Sequence, residues 1–188
     1  MSAPPDLPDV VSRAFAGARK AGYVSFCRNE TGRLLAMLAA TRSGTMAEFG
    51  TGCGVGTAWL RSGLRGEAHI VTAELDAKLA KAAAAIFEDD PQVEVLEADW
   101  STLLDRGPFS LLFLDAGQPN EVGVDAVADL VADGGIVVLD DFVPCEMWPP
   151  ITGGRVDTLR ERWLTDERFT AVEVMVAPDA STIVATKR

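Results

Sequence analysis

The sequence predicts an α/β fold, a doubly wound and mostly parallel sheet of seven strands that closes with a C-terminal antiparallel hairpin. The first observation is that apolar strand segments alternate with helical segments, which is the order of a parallel sheet with helices on both faces. The second is that the segments 109–114 and 136–139 are continuous apolar runs, as expected of strands buried on both sides. The third is a pair of strand-like segments at the end of the chain, joined by a short turn.

Each strand is predicted from a short apolar or β-branched run that is bounded by turn residues. In chain order the five parallel strands are 46–49, 69–73, 93–96, 109–114 and 136–139. The hairpin consists of 169–176 and 182–186, and the turn 177–180 between them contains Pro178 and Asp179.

The predicted helices lie between these strands and have apolar residues at helical spacing. They cover 28–41, 55–64, 76–87, 121–131 and 155–164. Residues that stop helices follow the first three, namely Gly44, Gly66 and Pro91.

Length, charge and cysteine content limit the class of protein. A chain of 188 residues is expected to form one domain, over residues 10–188, after a flexible Pro-rich leader at 1–9. The formal net charge of −11 disfavours a nucleic-acid substrate, because binding to phosphates requires a basic surface. The apolar runs are far shorter than the ~20 residues of a membrane span, and three widely spaced cysteines suit a reducing cytoplasm. These features favour a cytoplasmic protein that acts on a small molecule.

A glycine-rich loop follows the first predicted strand. Its acid and loop residues, the predicted cofactor-binding positions, are Glu48, Gly50, Thr51, Gly52, Gly54 and Gly56. A dinucleotide-binding G-x-G-x-x-G would need its third glycine at Val55 or Thr57. The pattern acid-x-Gly-x-Gly-x-Gly instead resembles motif I of the class I S-adenosylmethionine (SAM) dependent methyltransferases, in which the loop wraps the methionine part of the cofactor.

Acidic residues follow the predicted strands, and the carboxyl ends of parallel strands meet at one edge of a sheet. Glu74 is predicted to accept hydrogen bonds from both ribose hydroxyls, because one carboxylate can accept several donors. Asp99 is predicted to accept the adenine amino group, and Trp100 to stack on the base. A helix N-cap followed by a core tryptophan is the alternative for this pair. Glu48 is predicted to face the amino group of the methionine part, or else to cap the loop itself.

From about residue 28 to residue 188 the chain is similar to the catechol O-methyltransferase-like branch of these enzymes. The segments that carry the similarity are TGRLL (31–35), AEFGTG (47–52), VTAELD (71–76), FSLLFLDA (109–116) and GGIVVLDD (134–141), with the closing hairpin. The resemblance implies the Rossmann-like methyltransferase form of the predicted fold and SAM as the cofactor. Relatives in this branch are often dimers, so a homodimer is also implied.

The resemblance further implies a divalent cation, usually magnesium, that is bound by an acid after the fourth strand and an Asp-Asn pair after the fifth. The matching positions are Asp115, Asp140 and Asp141. Magnesium prefers such oxygen ligands, and its charge stabilises the oxyanion of a phenol or enol acceptor. Asp115 is also included in the predicted SAM-binding set.

Two positions depart from the pattern of that branch. Asp141 replaces the usual Asn, and the stretch DAGQPN (115–120) lacks the lysine that serves as the base. Asp115 and Asp141 are therefore the predicted catalytic residues, with Asp141 as a candidate base. The alternative is that these acids only shape the crevice.

The predicted activity is SAM-dependent methyl transfer to a hydroxyl of a small, possibly aromatic, molecule. The aromatic and Pro-rich stretch 142–150 is expected to cover the acceptor, or only to pack against the next helix. An N-methyltransferase is disfavoured because the residues after the fourth strand are not Asn/Asp-Pro-Pro-aromatic. The missing lysine keeps a non-catalytic SAM-binding or regulatory domain open. The glycine spacing and the hairpin disfavour an NAD-dependent Rossmann oxidoreductase.

Overall fold

The computed structural model describes residues 6–115 and 123–188. Its main sheet has seven strands in the order β3-β2-β1-β4-β5-β9-β8. The strands are β1 (Thr45–Phe49), β2 (His69–Glu74), β3 (Val93–Glu97), β4 (Phe109–Leu114), β5 (Val131–Phe142), β8 (Phe169–Ala177) and β9 (Ala180–Lys187). The first five are parallel, and β9 pairs antiparallel with both β5 and β8. The predicted fold class is confirmed.

Six α-helices are present in the described part of the chain. They are α1 (Asp9–Ala21), α2 (Asn29–Ala39), α3 (Val55–Gly63), α4 (Ala77–Ala84), α5 (Val124–Val127) and α6 (Thr158–Thr165). Helix α1 is absent from the elements predicted from the sequence, although it is amphipathic: Val11, Ala14 and Ala18 recur at helical spacing and are buried. It begins at Asp9 and ends at Gly22, which has a left-handed φ of 73°.

Two predicted helices are partly wrong. The segment predicted as a helix over 121–131 forms α5 and a 3₁₀ turn, Ala128–Leu130, and its first two residues lie outside the described part. Strand β5 already begins at Val131, and a register shift in its pairing with β4 accommodates the turn at Gly134 (φ 71°). In the helix predicted over 155–164, residues Arg155–Val156 instead form β7, which pairs with β6 (Ile151–Thr152) before α6 begins.

The core lies on both faces of the sheet, as a doubly wound fold requires. Successive residues of a strand point to opposite faces, so Ala47 and Phe49 pack towards α5 and α6 while Met46 packs towards α1, α2 and α3. No helix among residues 6–115 and 123–188 is both long and apolar enough to cross a membrane.

Helices α2 and α3 cross at a glycine, which leads to a stability prediction. A Cβ added at Gly63 would lie 2.0 Å from the backbone oxygen of Ala36, which cannot move aside. We expect Gly63→Ala to lower the free energy of unfolding by about 1–3 kcal/mol, the usual cost of overpacking. Chemical denaturation followed by circular dichroism measures this change.

Gly17→Ala is the matched control, because Gly17 is also inside a helix and its added Cβ would meet Ile86 at an ordinary 3.6 Å. We expect that variant to be as stable as the wild type, or more stable by up to about 1 kcal/mol, since alanine is the better helix former. Equal losses in both variants would contradict the close approach at Gly63.

Candidate functional site

The predicted site lies where the order of the strands reverses. Strands β2 and β3 lie on one side of β1, and β4 and β5 lie on the other. The crevice at the carboxyl ends of the strands on either side of such a reversal is where open α/β sheets bind ligands. The acids predicted from strands β2, β4 and β5, namely Glu74, Asp115, Asp140 and Asp141, are at this edge.

The glycine loop after β1 has a conformation that requires glycine. Gly50, Gly52 and Gly54 have φ values of 92°, 51° and 81°, in the left-handed region that is costly for residues with a Cβ. The backbone N–H groups of Gly50 and Thr51 donate to Ala73 O at 3.1 and 3.3 Å, which ties the loop to the end of β2. Helix α3 starts directly after Gly54. The loop is therefore a fixed turn with its backbone along the crevice.

Glu74 supports this loop through its carboxylate. Its Oε2 accepts a hydrogen bond from the Gly52 N–H at 2.7 Å, and its Oε1 accepts one from the Asp76 N–H at 2.9 Å. The side chain is only partly buried, and each oxygen can accept a further donor. The contact with a ribose stays a prediction, to which the structure adds a hydrogen bond that fixes the carboxylate against the loop.

Glu48 is fully buried beneath the loop (0% exposed), which differs from a side chain facing a ligand. Its Oε2 accepts hydrogen bonds from the hydroxyls of Thr57 and Thr72. Its Oε1 has no hydrogen-bond partner in the described part of the chain and lies 2.0 Å from where a Cβ of Gly56 would be. Burial raises the pKa of this carboxyl to about 8. This geometry matches the alternative in which Glu48 caps the loop. Position 56 must be glycine because a side chain there would collide with the Glu48 carboxylate.

Three carboxylates come from β4 and β5. Asp115 donates its N–H to Phe49 O at 3.0 Å, so it lies beside the end of β1. Asp140 is buried and accepts a hydrogen bond from the hydroxyl of Thr31 at 3.2 Å. Asp141 is exposed and has a φ of 67°, at the irregularity where β5 loses its register with β9.

These acids influence one another electrostatically. Burial, followed by the charges of Glu48, Asp141 and Asp140, raises the pKa of Asp115 well above its ordinary value. Burial and then the charge of Asp141 raise the pKa of Asp140 to about 6. The crevice therefore favours a cationic ligand, which would relieve this repulsion.

The predicted magnesium ligands are not arranged as a metal site. Among residues 6–115 and 123–188, no group of three or more His, Cys, Asp or Glu side chains is placed so that it could hold a metal ion. The physical reason is that Asp140 is turned inward to Thr31, whereas its neighbour Asp141 is turned outward to solvent. The loop residues 116–120, where the lysine is missing from the sequence, lie outside the described part.

Asp99 and Trp100 have the geometry of a helix N-cap followed by a tryptophan that packs on the core, which is the alternative to adenine binding. Asp99 is the N-cap of the 3₁₀ helix Trp100–Arg106 and accepts a hydrogen bond from the Ser101 N–H at 2.9 Å. Trp100 stacks on Phe49 at 5.1 Å between ring centroids and packs against the core. The carboxylate of Asp99 is nevertheless exposed, so the adenine contact stays a prediction that the capping bond does not contradict.

The chain between α1 and α2 forms a wall of the crevice that no sequence motif predicts. Tyr23, the only tyrosine, lies over the loop, with its hydroxyl 2.9 Å from where a Cβ of Gly52 would be. Burial, followed by the charges of Asp115 and Glu74, raises its pKa. Cys27 is buried, and its thiol pKa is raised well above its ordinary value by burial and then by Asp115. The one feature of the sequence that could have pointed to this wall is that Tyr23 is the only tyrosine.

A seven-stranded sheet of this order, with a glycine loop after β1 and acids after β2, β4 and β5, is the arrangement of the Rossmann-like methyltransferases. The chain belongs to the family described as "Methyltransferase domain". The family's sequence profile matches residues 47–142, just over half of the chain.

Relatives with known names agree with this assignment. A catechol O-methyltransferase of Mycobacterium tuberculosis is 29% identical over 122 residues, which are 61% of this chain and 56% of that protein, so the match spans little more than half of the relative. The O-methyltransferase TomG of Streptomyces achromogenes, solved in complex with SAM, matches with a TM-score of 0.78 at 22% sequence identity. The match covers 97% of this chain and 92% of the TomG chain. An O-methyltransferase of Bacillus cereus, solved with SAH, matches with a TM-score of 0.77 at 21% sequence identity, over 98% of this chain and 93% of that chain. At these identities the two structures establish the fold.

The burial of Glu48 leads to a prediction about stability and pH. Its pKa is about 8 in the folded protein, against 4.5 for an ordinary glutamate. The folded state therefore holds this proton more tightly, and the contribution to stability is complete below 4.5 and is lost as the pH rises towards 8. We expect Glu48→Gln, which keeps a neutral group there, to become progressively more stable than the wild type over that range, by up to about 1.4 kcal/mol per pH unit.

The measurement is the free energy of unfolding at several pH values for both proteins. Comparison with the wild type is needed because Asp115 and Asp140 also have raised pKa values and contribute in the same direction. Glu67→Gln, at an exposed position in the loop before β2, is the control and should run parallel to the wild type. A constant difference between Glu48→Gln and the wild type across this range would show that Glu48 is not protonated in the fold.

Proposed function

We propose that this protein transfers the methyl group of SAM to a hydroxyl of a small molecule. The observation that carries the proposal is the glycine loop held by Glu74 at the reversal of strand order, in a chain of the methyltransferase family. The names of the relatives, a catechol O-methyltransferase and two O-methyltransferases, support a hydroxyl as the acceptor.

The residues of the crevice suit the polar groups and the positive charge of SAM. Glu74 would accept hydrogen bonds from the ribose hydroxyls, and the left-handed turns of the loop would let its backbone approach the methionine part closely. Asp99 would accept from the adenine amino group, with Trp100 held beside it by Phe49. SAM supplies an activated methyl on a sulfonium cation, and the coupled carboxylates around Asp115 would favour that charge.

The protein's part in methyl transfer is to orient the acceptor and to accept its proton. Methyl transfer needs no covalent enzyme intermediate, so alignment of the acceptor oxygen supplies much of the rate. Asp115 and Asp141 are the carboxylates that we assign to this step. Burial raises the pKa of Asp115, and a carboxylate with a raised pKa is a stronger base.

Magnesium, which the resemblance implies, does not fit the residues as they are placed. Asp140 is engaged by Thr31, and the three carboxylates do not form a group that could hold an ion within the described part of the chain. We therefore derive no step through a metal ion. Removal of metal ions with a chelator tests whether the protein uses the metal that the resemblance implies.

The remaining aspects of the proposal concern the surroundings of the protein. A net charge of −11 supports a small-molecule acceptor and disfavours nucleic acid. We propose a cytoplasmic protein, consistent with three free cysteines in the described residues. A homodimer is proposed from the resemblance alone.

Isothermal titration calorimetry with SAM and with NAD tests the choice of cofactor. We expect SAM to bind and NAD not to bind. Glu74→Ala should weaken SAM binding at least about tenfold, because it removes both the ribose contact and the bond that fixes the loop at Gly52. Glu67→Ala, an exposed acid at the opposite end of β2, should bind SAM like the wild type. Binding of NAD without SAM would exclude the proposal, and binding of SAM without turnover of any acceptor would favour the non-catalytic alternative.

A chelator tests the role of a metal. We expect the rate of methyl transfer from SAM to catechol to be the same in EDTA as without it, because Asp140 is committed to Thr31. Loss of activity in EDTA that added Mg²⁺ restores would show that Asp115, Asp140 and Asp141 rearrange into a metal site. Asp140→Asn distinguishes the two cases further, because asparagine still accepts the hydrogen bond from Thr31 but is a weaker metal ligand. The variant should keep its activity if catalysis needs no metal, and should lose activity if catalysis depends on a metal at this site.

A further inference from the structure

Arg160, in α6, is a buried cation that the proposed chemistry does not use. Its side chain is 1% exposed, although arginine is rarely buried unless it is paired. Removing a charge from water is strongly unfavourable, so the partners of Arg160 must compensate for it. Those partners connect segments that are far apart in the sequence.

The first set of contacts fixes the start of the loop that leaves β5. The Nη2 of Arg160 donates to Val143 O at 2.7 Å. Its guanidinium carbon lies 5.1 Å from the centroid of the Phe142 ring, in cation–π range. Both residues follow Asp141 directly, so Arg160 holds the backbone immediately beyond a proposed catalytic carboxylate.

The second set fixes the end of the same loop, which we define as residues 143–150. The Nε of Arg160 lies 3.3 Å from Asp157 Oδ2. Asp157 in turn donates its N–H to Pro150 O at 2.8 Å and accepts from the hydroxyl of Thr152 at 3.1 Å. One guanidinium therefore connects both ends of the 143–150 loop.

A third contact attaches this arrangement to the sheet. The Nη1 of Arg160 lies 3.4 Å from Glu173 Oε1 on β8. That same oxygen accepts the hydroxyl of Ser181 on β9, and Ser181 pairs with Phe142 in the sheet. Within the described part of the chain, Nη2 makes a hydrogen bond, whereas Nε and Nη1 contact Asp157 and Glu173 as ion pairs without a hydrogen bond. The planar fork of the guanidinium reaches all three partners at once, which the single ammonium of a lysine could not do.

The 143–150 loop exposes apolar side chains beside the crevice. Val143, Met147 and Trp148 are 62%, 56% and 61% exposed. They follow the carboxyl end of β5, where Asp141 is also exposed. Exposed apolar groups beside a polar crevice suit contact with the nonpolar part of a bound small molecule.

We propose that Arg160 is a positioning residue that holds the 143–150 loop at the edge of the crevice and so determines how tightly the methyl acceptor binds. The role in acceptor binding rests on the proposed methyl transfer, whereas the fixing of the loop does not. Arg160 does not touch the cofactor residues Glu74 or Gly52 in this arrangement, so SAM binding should be independent of it.

The test compares Arg160→Met and Arg160→Lys with Arg162→Met. Arg162 is the matched control, because it lies on the same helix but is exposed and pairs with Asp125 at the surface. Because Arg160 contacts both Val143 and Asp157, it closes the segment 144–156, which contains the exposed Arg155 of β7. The rate of trypsin cleavage after Arg155 reports opening of this segment. We expect cleavage to be faster by about tenfold in Arg160→Met, less so in Arg160→Lys, and unchanged in Arg162→Met. Circular dichroism and cooperative thermal melts confirm that each variant is folded, and Arg160→Lys provides the readout if Arg160→Met is not.

The link to the site is tested by kinetics with SAM and catechol. We expect the KM for catechol to rise about tenfold in the Arg160 variants while the Kd for SAM, from calorimetry, stays at the wild-type value. Unchanged cleavage after Arg155 would overturn the fixing of the loop, whatever the activity. Faster cleavage with an unchanged KM would overturn the role in acceptor binding. A wild-type protein that binds no SAM would instead refute the proposed function and leave the cleavage result intact.

Discussion

Beneath the glycine loop, the carboxylate of Glu48 receives hydrogen bonds from the hydroxyls of Thr57, at the start of α3, and Thr72, in the middle of β2. The Thr72 hydroxyl lies 2.6 Å from that of Thr51 in the loop. This buried group thus joins three elements at the point where the chain turns from strand to helix. The position of the loop, and with it the hydrogen bond from Gly52 to Glu74, depends on this contact. Among the described residues, the other hydrogen bonds that tie the loop to a neighbouring strand go to the end of β2.

The acidic character of the crevice follows from the same architecture. Parallel strands deliver their carboxyl ends to one edge, so acids that are distant in the sequence come together there. Their mutual repulsion is a cost to the folded protein that a cation can relieve, whether the sulfonium of SAM or another positive group. After methyl transfer the sulfur of the cofactor is neutral, so the same carboxylates would hold the product less tightly than the substrate. Under the proposed function, the same charges would therefore favour both the binding of SAM and the release of its product.

The sequence allowed the parallel strands, the glycine loop and the acids at the strand ends to be predicted, because each depends on a local pattern. Contacts between distant residues were not predictable in this way. Thr31 and Asp140 are separated by 109 positions, and no spacing indicates that a hydroxyl would turn Asp140 away from a metal site. Arg160 is not predictable for another reason: a charged residue on a helix is expected to face solvent, and its burial depends on partners in the loop after β5 and in β8, together with the N-cap Asp157 of its own helix.

The profile of the family ends at Phe142 and begins at Ala47, yet the walls of the crevice extend beyond both limits. Tyr23, which lies over the glycine loop, and Thr31, which binds Asp140, come before the matched span, and the 143–150 loop with its partner Arg160 comes after it. The matched half contains the glycine loop and the ends of the strands that form the proposed cofactor site. The flanking parts form surfaces that can change without disturbing those strands. Divergence within the family can therefore alter the acceptor while the cofactor chemistry stays the same, and similarity within the matched half is a poor guide to the substrate.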